Sequence, residues 1–192
     1  MPHFNALSKL VALICIMILL PLFPVVFVLV KIDSNGPFLF AQIRIGKDKK
    51  KFTIYKIRSM IQGAEGIKNT YKHLNEYSEP IFKITDDPRY TKIGKWLAHF
   101  GLDELPQLIN IIKGDMAFFG PRPLPPDEAN KIPTKYHKRF LVSPGMIPPW
   151  VLFGREALKS NKWLELDMKF VENNSFRSNL FALINLIKMF TT

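Results

Sequence analysis

The stretch from Trp96 to Pro123, WLAHFGLDELPQLINIIKGDMAFFGPRP, decides how the rest of the chain is read. Leu105, Leu108, Ile109 and Ile112 recur at helical spacing, Pro106 is tolerated only in a first turn, and Gly114 is a stop signal, which predicts a short helix. Asp103 and Glu104 open that predicted helix, where outward N–H groups and the positive end of the dipole favour carboxylates and draw phosphate oxygens. Taken alone, the pair reads most simply as a cap with a dipole complement, worth about 1 kcal/mol. Downstream, Gly120, Pro121, Arg122 and Pro123 form a rigid turn carrying a guanidinium, whose planar fork matches phosphate oxygens. Two acids and an arginine together suit chemistry on phosphate.

As a whole, LDELPQLINIIKGDMAFFGPRP resembles the signature of the bacterial polyprenyl-phosphate sugar-phosphate transferases, the monotopic phosphoglycosyl transferases. The likeness extends upstream through GPFLFAQIRIG, FTIYKIRSM and DPRYTKIGKWL, and downstream to Pro144-Gly145, Gly154-Arg155 and Leu166-Asp167. It implies transfer of a sugar 1-phosphate from a nucleotide diphosphate sugar, UDP-linked in the first instance, to a polyprenyl phosphate. That would be the first step of glycoconjugate assembly, at the cytoplasmic face of the bacterial inner membrane. The chain departs from the family pattern at Ser143, at Asn179 and in Met146–Phe153, which reads MIPPWVLF, so the donor sugar does not carry over from relatives.

The length of 192 residues fits one catalytic domain of ordinary size, and the formal charge of +11 points to anionic partners. Anionic lipid, phosphorylated substrates and nucleic acid all qualify by charge; nucleic acid is set aside because no recognition helix or stacked-aromatic motif accompanies it. Cys15 is the only cysteine, which excludes an intrachain disulfide and fits a reducing compartment.

From Leu10 to Val30 no charged residue occurs, and Lys9 and Lys31 close the ends. A helix of that length reaches about 31 Å, close to the hydrocarbon thickness of a bilayer. Residues 1–33 are therefore expected to be membrane-embedded and 34–192 to form a cytosolic-face catalytic domain, with Lys31, Arg44, Lys47, Lys49, Lys50 and Lys51 on the cytoplasmic side. Pro21 and Pro24 each remove a backbone hydrogen bond and bend the helix, which leaves a kinked span or a re-entrant helix. The family resemblance implies the re-entrant form, with Pro21 at the break.

Phe38–Phe40 and Lys51–Ile57 read as short strands flanking a basic loop, and Ser59–Asp87 as a polar excursion with little chemical signal. Ile93, Trp96, Leu97 and Phe100 lie on a predicted helix that faces a core or the bilayer interface, core packing being preferred for Trp96. Asp127–Phe140 reads as a helix interrupted by Pro133, Pro144–Pro149 as a rigid loop, and Phe176–Phe190 as a terminal core or interfacial helix. The expected fold is α/β-type, mostly helical, with few short strands, a broken membrane helix and amphipathic interfacial helices.

Joining two anionic partners requires supplied positive charge, and a carboxylate nucleophile divides the reaction into two steps. Asp103 is assigned as nucleophile, the role the resemblance implies for it. Glu104, with Asp103, is assigned to Mg2+, a hard cation that commonly takes one or two protein carboxylates plus phosphate oxygens. Lys56, Arg58, Arg89, Arg122, Arg139 and Arg155 are candidates for a clamp on the diphosphate and the lipid phosphate. Asp167 matches a family acidic position; it either orients an arginine or the sugar, or is a structural ion-pair partner. The alternative function is a catalytically inactive, membrane-anchored basic module that docks on anionic lipid or acidic partners.

Overall fold

The apolar run near the N-terminus folds as two helices. In the computed structural model, which describes residues 2–153 and 155–173, α1 (Pro2–Leu19) and α2 (Leu22–Asp33) meet at Leu20-Pro21. The axes of Ala6–Leu19 and Leu22–Asp33 diverge by 66°. No single described helix is long and apolar enough to cross a membrane, whereas the bent pair is so by length and composition. Pro21 is the N-cap of α2, as the break requires. Pro24 introduces no second kink: it sits in the first turn of α2, where its missing N–H would have had no helical partner.

Each arm packs on a different part of the rest of the chain. Ala12, Cys15, Ile16 and Leu19 of α1 pack with Leu108, Ile111 and Ile112 of α4 (Gln107–Lys113) and with Ile54. Val26 and Val30 of α2 pack with Ile57 and with Leu97 of α3 (Lys92–His99). Asp33, the last residue of α2, accepts a hydrogen bond from the Ile93 N–H at 2.8 Å, and Thr91 caps the same helix through Gly94 N at 3.0 Å. The start of α3 is thus tied to the end of α2. Leu10, Leu13, Ile14, Met17, Ile18, Val25, Phe27, Val28 and Ile32 are all exposed, so both arms of the bent pair carry apolar side chains on their outer surface.

The fold is mixed α/β, about half helical, with four short strands among the described residues. β1 (Leu39–Ile45) and β2 (Lys51–Ile57) form an antiparallel hairpin whose register runs from Leu39 opposite Ile57 to Ile45 opposite Lys51. β2 has its expected bounds, while β1 continues well past Phe40. β3 (Ala117–Phe119) pairs in parallel with β4 (Gly145–Ile147), so part of the expected loop at 144–149 is a strand. The 127–140 region divides at Pro133 into α5 (Pro126–Ala129) and a 3-10 run, Thr134–Leu141. α6 (Lys162–Glu172) follows, and its Trp163, Leu164 and Leu166 complete a core with Leu124, Ile132, Tyr136, Phe140 and Trp150.

Two expectations are corrected. Trp96, expected to pack in a core, is 54% exposed, because α3 turns Gly94 and Leu97 inward instead. The predicted helix carrying the acidic pair is two pieces: a 3-10 turn, Leu102–Glu104, and then α4 with Pro106 as its N-cap. Gly114 ends α4 in the left-handed region at φ 88, as a stop requires. The expected helix at 176–190 and Asn179 lie outside the described residues.

Candidate active site

Asp103 and Glu104 owe their position to three local features. Gly101, at φ 69, turns the chain out of α3 in a conformation that side-chain-bearing residues disfavour. The Leu102–Glu104 turn closes with Glu104 N donating to Gly101 O at 3.1 Å. α4 then fixes β2 beside them through Asn110, which has no exposed surface. The Asn110 side chain donates from Nδ2 to Thr53 O at 2.7 Å and accepts at Oδ1 from Tyr55 N at 3.3 Å. These bonds hold two backbone groups of β2 at Thr53 and Tyr55, directly before Lys56, which faces the acidic pair.

Lys56 Nζ lies 2.6 Å from Glu104 Oε1 and 3.8 Å from Asp103 Oδ2, so the two carboxylates converge on one cationic centre. Arg122 Nη1 reaches Glu104 Oε1 at 4.0 Å. The neighbours separate the two acids electrostatically. Burial alone would raise Glu104, but Lys56 and Arg122 outweigh it and hold the carboxyl at about 2. Asp103 is more deeply buried, and burial keeps its pKa above the ordinary range despite Lys56 and Arg122.

A cavity of about 350 Å³ opens beside Asp103. Lys56, Arg58, Arg89 and Arg122 line it, as the sequence suggested for a phosphate clamp; Glu104 stands behind Lys56 and does not line it. Arg58 and Arg89 are already engaged. Arg58 donates to the carbonyls of Val30, Ser34 and Asn35, fastening the exit of α2, and Arg89 pairs with Asp87 at 2.6 Å and donates to Ala64 O at 3.0 Å. Their first role is to hold the walls; Lys56 and Arg122 are the cations turned toward the acids.

Arg139 and Asp167 are not on the cavity wall. Both are buried, 2.9 Å apart, and Arg139 Nη2 also donates to the Arg122 carbonyl at 2.9 Å. The expected clamp arginine is therefore a support for the turn that carries Arg122, and Asp167 is its ion-pair partner. Burial raises the Asp167 carboxyl to about 6, against the opposing pull of Arg139. The same turn is held from below by Gly145, whose N–H donates to Pro121 O at 3.0 Å. Gly154 and the side chain of Arg155 lie outside the described residues.

Other groups at the site carried no chemical signal in sequence. Arg44 lines the cavity and bonds Pro123 O at 3.3 Å; burial, then the adjacent Arg122, lowers its pKa to about 10. Glu128, also lining it, is 8% exposed, and burial raises its carboxyl. Tyr90 belongs to the wall near Asp103, and its phenol is raised by burial and then by that carboxylate. The only sequence cue for Arg44 and Tyr90 was their place in the motif-like segments AQIRIG and DPRYTKIG.

A basic cavity with buried Asp103 on its wall, and Glu104 held ionised behind a lysine, is an arrangement suited to displacement at phosphorus. The chain matches the family described as bacterial sugar transferase over residues 4–192, and it belongs to that family. It is 35% identical over 157 residues to the galactosyl transferase CpsE of Streptococcus agalactiae serotype III, covering 81% of this chain and 35% of that protein. It is 32% identical over 187 residues to the exopolysaccharide production protein ExoY of Sinorhizobium fredii, covering 95% of this chain and 83% of that one. With the undecaprenyl-phosphate galactose phosphotransferase of Salmonella typhimurium it shares 30% identity over 160 residues, 81% of this chain and 34% of that protein. The chain thus spans about a third of two of these relatives and most of the third.

Proposed function

We propose that this protein transfers a sugar 1-phosphate from a nucleotide diphosphate sugar to a polyprenyl phosphate, releasing a nucleoside monophosphate. The observation that carries the reading is the Asp103–Glu104 pair converging on Lys56 at the edge of a cavity faced by Arg122, in a chain of the bacterial sugar transferase family. Two relatives agree with it: one is an undecaprenyl-phosphate galactose phosphotransferase and another a UDP-N-acetylgalactosamine-undecaprenyl-phosphate N-acetylgalactosaminephosphotransferase.

In the first step a carboxylate oxygen of Asp103 attacks the phosphorus bonded to the sugar. The bond from that phosphorus to the bridging oxygen breaks, and the nucleoside monophosphate leaves with the electron pair. Arg122 and Lys56 reduce the repulsion between anions and stabilise charge on the phosphoryl oxygens. In the second step an oxygen of the lipid phosphate attacks the same phosphorus, the bond to Asp103 breaks, and the carboxylate is restored.

Two carboxylates that already share one cation fit Mg2+ by donor type, and Glu104 with Asp103 would hold it. Among the described residues no group of three His, Cys, Asp or Glu makes a cage, so phosphate oxygens and water would complete the sphere. When bound, the ion supplies further neutralisation of the diphosphate.

The apolar outer surface of α1 and α2 supports placing residues 1–33 in one leaflet as a re-entrant anchor, with 34–192 at the cytoplasmic face. A lipid phosphate at headgroup depth then meets the acids without leaving the bilayer. The test is UMP release by detergent-solubilised protein with Mg2+, undecaprenyl phosphate and a panel of UDP-sugars. Lipid-dependent release with one donor is expected; salt-sensitive vesicle binding without turnover on any donor would favour the inactive-module reading.

A further inference from the structure

A second hollow of about 350 Å³ adjoins the catalytic cavity, and Lys83 and Tyr90 line both. Its other side is a face of α3: Lys92, Lys95, Trp96 and His99 fall at i, i+3, i+4 and i+7 and share one stripe. α3 contains no acidic residue, and its Lys95 is ion-paired with Asp86 where both are largely exposed. Such a surface pair is weak enough to yield to a stronger anion.

Beside this basic hollow stands an apolar ledge. Trp96 and Phe100, both more than half exposed, have ring centroids 5.1 Å apart, and His99 packs edge-on against Phe100 at 5.0 Å. The ledge borders the end of α3, and the chain then runs through Gly101 straight into Asp103. The shared wall is also electrostatically coupled to the acids, Tyr90 to Asp103 and Lys83 to Glu104. A ligand complementary to this surface has a compact anionic head and an apolar tail, and lies across Lys83 and Tyr90 from the cavity that Asp103 lines.

We propose that the hollow between α3 and Lys83 captures the phosphate of the lipid acceptor, with Lys92 and Lys95 holding the head and Trp96 and Phe100 carrying the first units of the chain. The proposal rests on the acceptor being a polyprenyl phosphate, as argued above. Lys83 and Tyr90 form the threshold that the head crosses to reach the phosphorus on Asp103. Donor and acceptor thus enter through separate pockets, which suits a two-step reaction in which the nucleotide leaves before the lipid reacts.

The test uses the full chain, a Lys92→Ala/Lys95→Ala variant and a Trp96→Ala variant. Two rates are measured: exchange of labelled UMP into UDP-sugar without lipid, which reads the donor step, and transfer as undecaprenyl phosphate is titrated. The expected result is unchanged exchange with an acceptor KM raised roughly tenfold, about the worth of one charge-assisted contact. An unchanged acceptor KM with intact exchange would overturn the proposal and leave the proposed reaction standing. Loss of binding to phosphatidylglycerol vesicles, with acceptor KM in neutral detergent unaltered, would also overturn it, because the hollow would then serve bulk anionic phospholipid. Absence of both exchange and transfer in the unmodified protein would remove the reaction itself and the proposal with it.

Discussion

Arg139 donates to the backbone carbonyl of Arg122 at 2.9 Å while its guanidinium is paired with fully buried Asp167. The guanidinium carbon also lies 5.3 Å from the Trp163 ring centroid. A turn that must aim Arg122 at the acids is therefore fastened to α6 by a charge pair with no access to water. Replacing Asp167 with Ala leaves a buried, uncompensated arginine, and breaking such a pair costs about 3–5 kcal/mol. Denaturant unfolding of Asp167→Ala should show a loss of that order, whereas an apolar replacement of both partners should restore much of it.

The same carboxyl predicts a pH dependence of stability. Its folded pKa of about 6 lies above the ordinary 3.8, so the folded state binds the proton more tightly than the unfolded state. Its contribution is fully present below about 4 and is lost as pH rises through about 6. Unfolding free energies measured across that window should fall with rising pH more steeply in the unmodified protein than in Asp167→Asn.

Asn110 joins α4 to β2 through bonds to Thr53 and Tyr55, directly before Lys56. Truncation to Ala strands buried backbone groups, a loss of about 1–3 kcal/mol. Asn110→Ala should therefore be destabilised in thermal unfolding and should also lose UMP exchange, through a displaced Lys56. An exposed change such as Lys113→Ala should do neither.

Gly145 is required by close approach. A Cβ there would stand 2.1 Å from Gly120 N and 2.6 Å from Gly120 O, where β3 and β4 meet. Neither backbone atom can move aside without separating the two strands. Gly145→Ala should reduce soluble yield and melting temperature, and any folded fraction should show weakened donor binding, because Pro121 and Arg122 shift with the strand.

Exchange should lose rate with acid at a pH above the ordinary Asp range. Burial raises Asp103, and its attack requires the ionised form, so protonation removes the nucleophile as pH falls. Glu104, held at about 2, should contribute no limb between pH 4 and 8. The pH profile of exchange without lipid reads this directly; a limb at the ordinary carboxylate value would mean that Asp103 is not the buried group described here.

Local signals in the sequence placed the elements that depend on local rules. Alternation in KFTIYKI marked β2 and Gly114 marked the end of α4, whereas Pro21 and Pro24 both signalled a bend and the family resemblance put the break at Pro21. What stayed hidden depends on partners distant in the chain. β4 forms only against β3, Trp96 is exposed because Gly94 and Leu97 face inward, and Arg139 meets Asp167 28 residues away. The cavity wall drew on Ser59–Asp87, whose irregular backbone has no periodicity for a pattern to detect. The acids themselves were legible as a motif, but their opposite pKa shifts were not, since burial raises Asp103 while Lys56 and Arg122 hold Glu104 down.

The central claim is that Asp103 carries the phosphosugar. Purified protein incubated with a UDP-sugar labelled in the sugar, without lipid, and quenched in denaturant should retain label on the unmodified chain. The label should leave on addition of undecaprenyl phosphate, and Asp103→Asn should retain none. Wild-type transfer by Asp103→Asn, or equal protein-bound label in it, would contradict the account.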